Sequence, residues 1–239
     1  MPLTCFRRGA VAVVVAMTLA ASLSARVQEE TENFDKTVPF PSGGTLALDN
    51  FSGAVHITGT TGKDVVIKAV RRATRDRLDH IKLDVQTTGS TVRIEANKRD
   101  RDWEDRNNNV VDTTFEIQVP AAARLNIKVF SSDVDVKGVS GELDLDTFSG
   151  EIIIDASAAG ASPSVNAKTF SGDITARLAD SAKGDVRFKS FSGSFNSDLP
   201  ISMRSASRGR DVSVSGSLPA GSGNTLAFET FSGNLQIKK

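Results

Sequence analysis

The chain has 239 residues, 39% of them hydrophobic, and its 29 Lys and Arg balance its 29 Asp and Glu. Zero net charge speaks against a general nucleic-acid binder, because neutralising a phosphate backbone needs a basic surplus. The single cysteine, Cys5, lies in a removable N-terminal segment, which excludes disulfides, thiol nucleophiles and thiolate metal sites from the mature chain.

Residues 1–25 read as a signal peptide. Arg7 and Arg8 form a short basic region, Ala10 to Ala21 is an apolar run, and Ser22-Leu23-Ser24-Ala25 supplies small residues for cleavage. The run is short for a transmembrane helix, and no second apolar stretch is long enough to span a bilayer. The expected location is therefore the periplasm, the cell surface or the outside.

Residues 26–120 read as an irregular β region continuous with the repeats of residues 121–239. Leu46, Leu48, Phe51, Val55 and Ile57 alternate around a Ser-Gly signal. Val65 to Ala69, Ile81 to Val85, Val92 to Ala96 and Phe115 to Val119 are further strands, and Ala73 to His80 suits one or two helical turns. Asn97 to Asn109 mixes basic and acidic residues as a solvated loop does.

Residues 121–239 form a repeat domain. Phe-Ser-Gly recurs at Phe51, Phe148, Phe170, Phe191 and Phe231, with Phe130-Ser131-Ser132 as a variant. Val139-Ser140-Gly141 and Val214-Ser215-Gly216 place valine in the aromatic slot. Counting the aromatic as zero, apolar residues fall at −5, −3, +4 and +6: Leu143, Leu145, Ile152 and Ile154 around Phe148, and Leu226, Phe228, Leu235 and Ile237 around Phe231. Period two on both sides of a glycine predicts strand, bend, strand. Spacings of 22 and 21 residues between Phe148, Phe170 and Phe191 fit a solenoid, and the 40 from Phe191 to Phe231 is close to two periods. The expected architecture is an all-β solenoid with the Phe residues pointing inward as an internal ladder. An antiparallel β-sandwich of hairpins is the alternative, because 9-residue half-repeats also suit hairpins.

The Gly-Gly-Thr-Leu-Ala-Leu-Asp-Asn-Phe-Ser-Gly opening, the central Phe-Glu-Ile-Gln-Val-Pro and the tandem Ser-Gly repeats resemble a bacterial β-strand-repeat domain of unknown function, the "putative adhesin" family. The resemblance runs from Phe34 to Lys239. It implies a right-handed parallel β-helix at the cell envelope and supplies no catalytic residues.

Candidate chemistry is sparse. His56 lies between Val55 and Ile57 and points away from their face, and His80 sits in a charged segment, so neither suits a Ser-His-Asp triad. The acids Asp133, Asp135, Glu142, Asp144, Asp146, Glu151 and Asp155 face only Lys137 as a local base. Stacked in a solenoid, such a face could hold calcium or act on polysaccharide, although the solvated side of alternating strands accounts for it more simply. Arg71, Arg72, Arg75 and Arg77, and Arg204, Arg208 and Arg210, form two basic clusters suited to anionic polymers or to ordinary surface charge. Trp103 suits a sugar ring or the pinning of its loop. No catalytic, metal or cofactor residue emerges. The expected function is an exported, non-enzymatic, adhesin-like protein that binds a cell-envelope polymer or surface protein. A polysaccharide-active enzyme using the acidic face is the alternative, and a structural or signalling accessory of the envelope is the third reading.

The export reading has a direct test. Mass spectrometry of protein recovered from the periplasm or medium should find an N-terminus between Leu23 and Gln28. An intact Met1 on a soluble cytosolic product would overturn it.

Overall fold

The structure is a computed structural model that describes residues 29–99, 109–158, 163–208, 211–219 and 223–239. Residues 1–25, expected to be a signal peptide, Trp103 and Arg210 lie outside the described residues. Strands form where apolar and polar residues alternate, and seventeen are seen among the described residues. The first six are β1 (Glu29–Pro39), β2 (Thr45–Thr60), β3 (Asp64–Thr74), β4 (Ile81–Thr88), β5 (Thr91–Arg99) and β6 (Asp112–Pro120), with helix α1 (Arg75–His80) after β3. Next come β7 (Arg124–Lys137), β8 (Leu143–Ser149), β9 (Ile152–Asp155), β10 (Val165–Ser171), β11 (Ile174–Arg177), β12 (Gly184–Ser192) and β13 (Phe195–Ser197). The last four are β14 (Ser202–Arg208), β15 (Val212–Ser217), β16 (Asn224–Ser232) and β17 (Leu235–Lys238).

Each Phe-Ser-Gly sits at a corner between an incoming and an outgoing strand. Incoming strands pair in parallel in the spatial order β5, β2, β7, β8, β10, β16, β12. Outgoing strands take the matching order β6, β2, β7, β9, β11, β17, β13. The strands β2 and β7 run unbroken through their corners. The result is the expected solenoid-like all-β architecture, with parallel rungs where the sandwich alternative needs antiparallel ones. Antiparallel strands close both ends: β4 on β5, β3 on β6 and β1 on β3, then β15 on β12 and β14 on β15. One hydrophobic cluster, from Val38 to Ile237, fills the space between the two sets of strands.

The −5, −3, +4 and +6 residues are that core. Leu143, Leu145, Ile152 and Ile154 are all buried, as are Leu226, Phe228, Leu235 and Ile237. The phenylalanines are not part of it. Phe51, Phe130, Phe148, Phe170, Phe191 and Phe231 are 41–52% exposed, so the expected internal ladder is an external one. Parity gives the reason: −5 and −3 are odd and zero is even, so a strand that buries Leu143 and Leu145 turns Phe148 outward. The inward residue beside each corner is at −1, where Thr147, Thr169, Ser190, Thr230 and Asn50 are buried.

Two further expectations change. Val139 is buried where the chain passes from β7 to β8, at the opposite end of the rung from Phe130 and Phe148. Val214 lies within the antiparallel strand β15, so neither valine stands in for a ladder aromatic. Among the described residues, the stretch between Phe191 and Phe231 holds no additional rung, because β14 and β15 occupy it as an antiparallel pair on β12. The last rung, β16 with β17, instead inserts between the rungs β10/β11 and β12/β13.

At the corners after Phe148 and Phe170 glycine is required for two reasons. Gly150 and Gly172 have φ of 155° and 154°, outside what side chains favour. A Cβ on Gly150 would also overlap the carbonyl of Ser132, and one on Gly172 the carbonyl of Gly150. Corner carbonyls find donors in the buried −1 hydroxyls: Thr147 donates to Ser132 O (3.3 Å), and Thr169 to Gly150 O (3.4 Å). Asn50 does the same at the first corner, donating to Thr113 O (3.1 Å).

Denaturant melts should rank these positions. Leu145→Ala should cost about 2–5 kcal/mol, as deletion from a closed core does. Gly150→Ala should cost about 1–3 kcal/mol from overpacking, increased by backbone strain of similar size. Ser149→Ala, at an exposed position, should fall within about 0.5 kcal/mol of the parent. A neutral Gly150→Ala would contradict the close corner packing.

Candidate functional site

The six outward phenylalanines stack into one ladder. In spatial order they are Phe51, Phe130, Phe148, Phe170, Phe231 and Phe191, with ring centroids 4.8–4.9 Å apart. The rings are nearly parallel, at 2–4° except for 14° between Phe51 and Phe130. The spacing is the strand spacing itself, so rung pairing sets it, and the ladder spans roughly 24 Å over five such steps. Because each ring covers its neighbour's face, the ladder presents ring edges to solvent.

The outward residue two before each Phe makes a second row. In the same order it reads Asp49, Lys128, Asp146, Lys168, Glu229, Lys189, a strict alternation of sign fixed by the rung register. Among the described residues, no ion pair joins neighbours within this row; only Asp49 is paired, with Arg93 at 2.7 Å. Arg93 also binds Glu95 at 2.9 Å, and those two hydrogen-bonded carboxylates, Glu95 the stronger, hold its pKa above the ordinary arginine value. An open groove runs along the two rows, bounded at one end by Arg93 and Lys98 of β5 and at the other by Asp211 and Ser213 at the start of β15.

The acids noted from the sequence do not form one face. Asp144 and Asp146 lie on an incoming strand, Asp133 and Asp135 on an outgoing one. Asp146 has Lys128 and Lys168 on its flanking rungs, and Asp144 accepts from Asn166 at 2.7 Å. Asp135 meets Lys137 at 2.7 Å and His56 at 3.9 Å. Asp133, Glu151 and Asp173 do succeed one another on consecutive rungs, but Asp133 accepts from the Glu151 N–H (2.9 Å) and Asp173 from the Asn234 N–H (2.8 Å). No group of three or more His, Cys, Asp or Glu suited to a metal is present among the described residues. His56 is exposed and His80 half-buried, and His80 lies 3.7 Å from Asp76.

Three arginines of the basic clusters are neutralised. Arg71 is buried, bonded to Glu32 and the Ile81 carbonyl, and burial draws its pKa down against the pull of Glu32. Arg75 pairs with Asp79 at 3.0 Å, and Arg204 with Asp185. The alternating row is what sequence reasoning missed. Its signal is a charged residue at −2 in all six repeats, and its alternation emerges only once the last rung takes its inserted place.

No curated protein matches the chain. Among solved structures, a putative cell adhesion protein from Clostridium sporogenes is similar at 15% identity and a TM-score of 0.62, covering 87% of this chain and 99% of its own. A putative adhesin from Bacteroides fragilis is similar at 12% identity and a TM-score of 0.36, covering 86% of this chain and 97% of its own. The first likeness establishes a shared fold. The family model described as Toastrack DUF4097 matches residues 42–238, nearly all of the repeat architecture and its ladder, and the chain belongs to that family.

Proposed function

We propose that the protein is an exported, non-enzymatic binding protein of the bacterial cell envelope, and that the phenylalanine ladder with its charged row is its docking surface. The observation that carries this reading is the ladder itself. Soluble monomers rarely expose contiguous apolar patches beyond a few hundred Å², and larger ones mark interaction sites. Six phenylalanines half exposed in one line make such a patch. The surface is rigid, because every ring is held by a rung of the sheet, so little ordering entropy is lost on docking. The similar structure from Clostridium sporogenes, described as a putative cell adhesion protein, fits the same role.

The distribution of charge also supports a non-enzymatic role. General acid–base chemistry needs a positioned, pKa-tuned pair in a pocket. Here the acids of the repeat are spread over two sets of strands, and Asp144, Asp135 and Asp133 are tied to Asn166, Lys137 and the Glu151 N–H. Recognition spread over repeated rungs suits adhesion to a polymer or protein surface better than turnover of a single bond.

Co-sedimentation of the protein with its own envelope fraction tests the reading. Phe148→Ser with Phe170→Ser should reduce retention at least tenfold, while Asp133→Asn with Asp144→Asn should change it less than threefold. Retention unaffected by the ladder variant would remove the ladder as the surface that docks on the envelope. Release of soluble glycan from the envelope by the parent, lost in a single Asp→Asn variant, would replace the binding reading with an enzymatic one.

A further inference from the structure

We infer that the partner of this surface is a second copy of the same chain, docked ladder to ladder about a two-fold axis. The inference rests on the ladder being a docking surface and names its occupant. The row of charges is the reason. Read from β2 to β12 it runs minus, plus, minus, plus, minus, plus. Turned end for end it runs plus, minus, plus, minus, plus, minus. A two-fold axis parallel to the strands, passing between Phe148 and Phe170, reverses the stacking direction and keeps each row over its own kind. Phenylalanine then lies on phenylalanine, Asp49 faces Lys189, Lys128 faces Glu229 and Asp146 faces Lys168, each pair occurring twice.

An isologous interface demands this self-complementarity. A slip of one rung would oppose like charges along the whole row, so the row sets register as well as attraction. Those charges are available, since Lys128, Asp146, Lys168, Glu229 and Lys189 close no ion pair among the described residues of their own chain. The area is adequate too. Half-exposed phenylalanines of about 150–250 Å² each give roughly 500–700 Å² over the six, and the charged row brings this near the ~800 Å² per partner of a specific interface. A glycan fits less well, because sugars stack on ring faces and these faces are covered by neighbouring rings. An acyl chain would leave the charged row unanswered.

The experiment compares the parent protein with a variant carrying Lys128→Asp, Asp146→Lys, Lys168→Glu and Glu229→Lys, each confirmed as folded by circular dichroism. Sedimentation equilibrium should show dimers for both, because the reversed row is again self-complementary. Native mass spectrometry of an equal mixture should show heterodimers well below the half expected for random pairing. Phe148→Ser with Phe170→Ser should weaken association at least tenfold. A parent that stays monomeric, heterodimers at the random proportion, or dimers indifferent to the Phe variant would each overturn the inference. Envelope retention measured on the same samples separates the two readings. A monomer that binds envelope through the ladder keeps the docking surface and removes the second copy. A dimer that does not bind envelope keeps the second copy and removes the envelope.

Discussion

The whole molecule depends on how closely one rung can approach the next at the corner. Parallel strands pair at about 4.8 Å, and a bend normally forces neighbouring chains apart. Here the corner glycines let a backbone Cα sit against the carbonyl below, so rungs stay in pairing distance through the turn. At three corners the carbonyl then accepts from the buried hydroxyl one residue before the Phe, that of Thr147, Thr169 or Ser190. Once that approach is secured, everything on the corner repeats at the same interval. Rings that would otherwise stand apart as single exposed side chains are brought to 4.8–4.9 Å and stack.

The remaining structure contains this stack. A solenoid ends in unpaired strands that invite aggregation, and natural sheets blunt such edges with short, charged or covered strands. One end is covered by β1, β3 and β4, with α1 packed over the small cluster of Ala73, Leu78, Ile81 and Val111. The other ends in β13, only three residues long, and in β14, whose Arg204 binds Asp185. The outer strand β1 carries Glu29, Glu30, Glu32, Asp35 and Lys36 and finishes at Pro39.

Much of this was legible in the sequence. The apolar residues at −5, −3, +4 and +6 named the core, and the four short apolar runs before Pro120 named β3 to β6. The direction of the phenylalanines was legible as well, by parity alone, although hydrophobicity points the other way. Leu145 and Thr147 point inward, so Phe148 points outward whatever its polarity. The alternating charge row was not legible, because sign alternation belongs to spatial order. In chain order the residues run Asp49, Lys128, Asp146, Lys168, Lys189, Glu229, and two lysines fall side by side. Only strand pairing shows that Glu229 comes between them.

That exchange of order has a consequence for how the chain reaches its native state. Most rungs of this solenoid lie beside the one made just before, but β12 does not pair with β10. It waits for β16, some forty residues further on, to supply the strand between them. The final quarter of the chain therefore cannot add rung by rung as it emerges. Until the last strands, β16 and β17, arrive, β12 to β15 have no parallel neighbour, and the open edge of β10 remains a template for any other strand. Closure over such long sequence separations is slow, since the loop entropy is lost before the contacts form. The carboxy-terminal residues thus act as a keystone: the arch stands open until they are set.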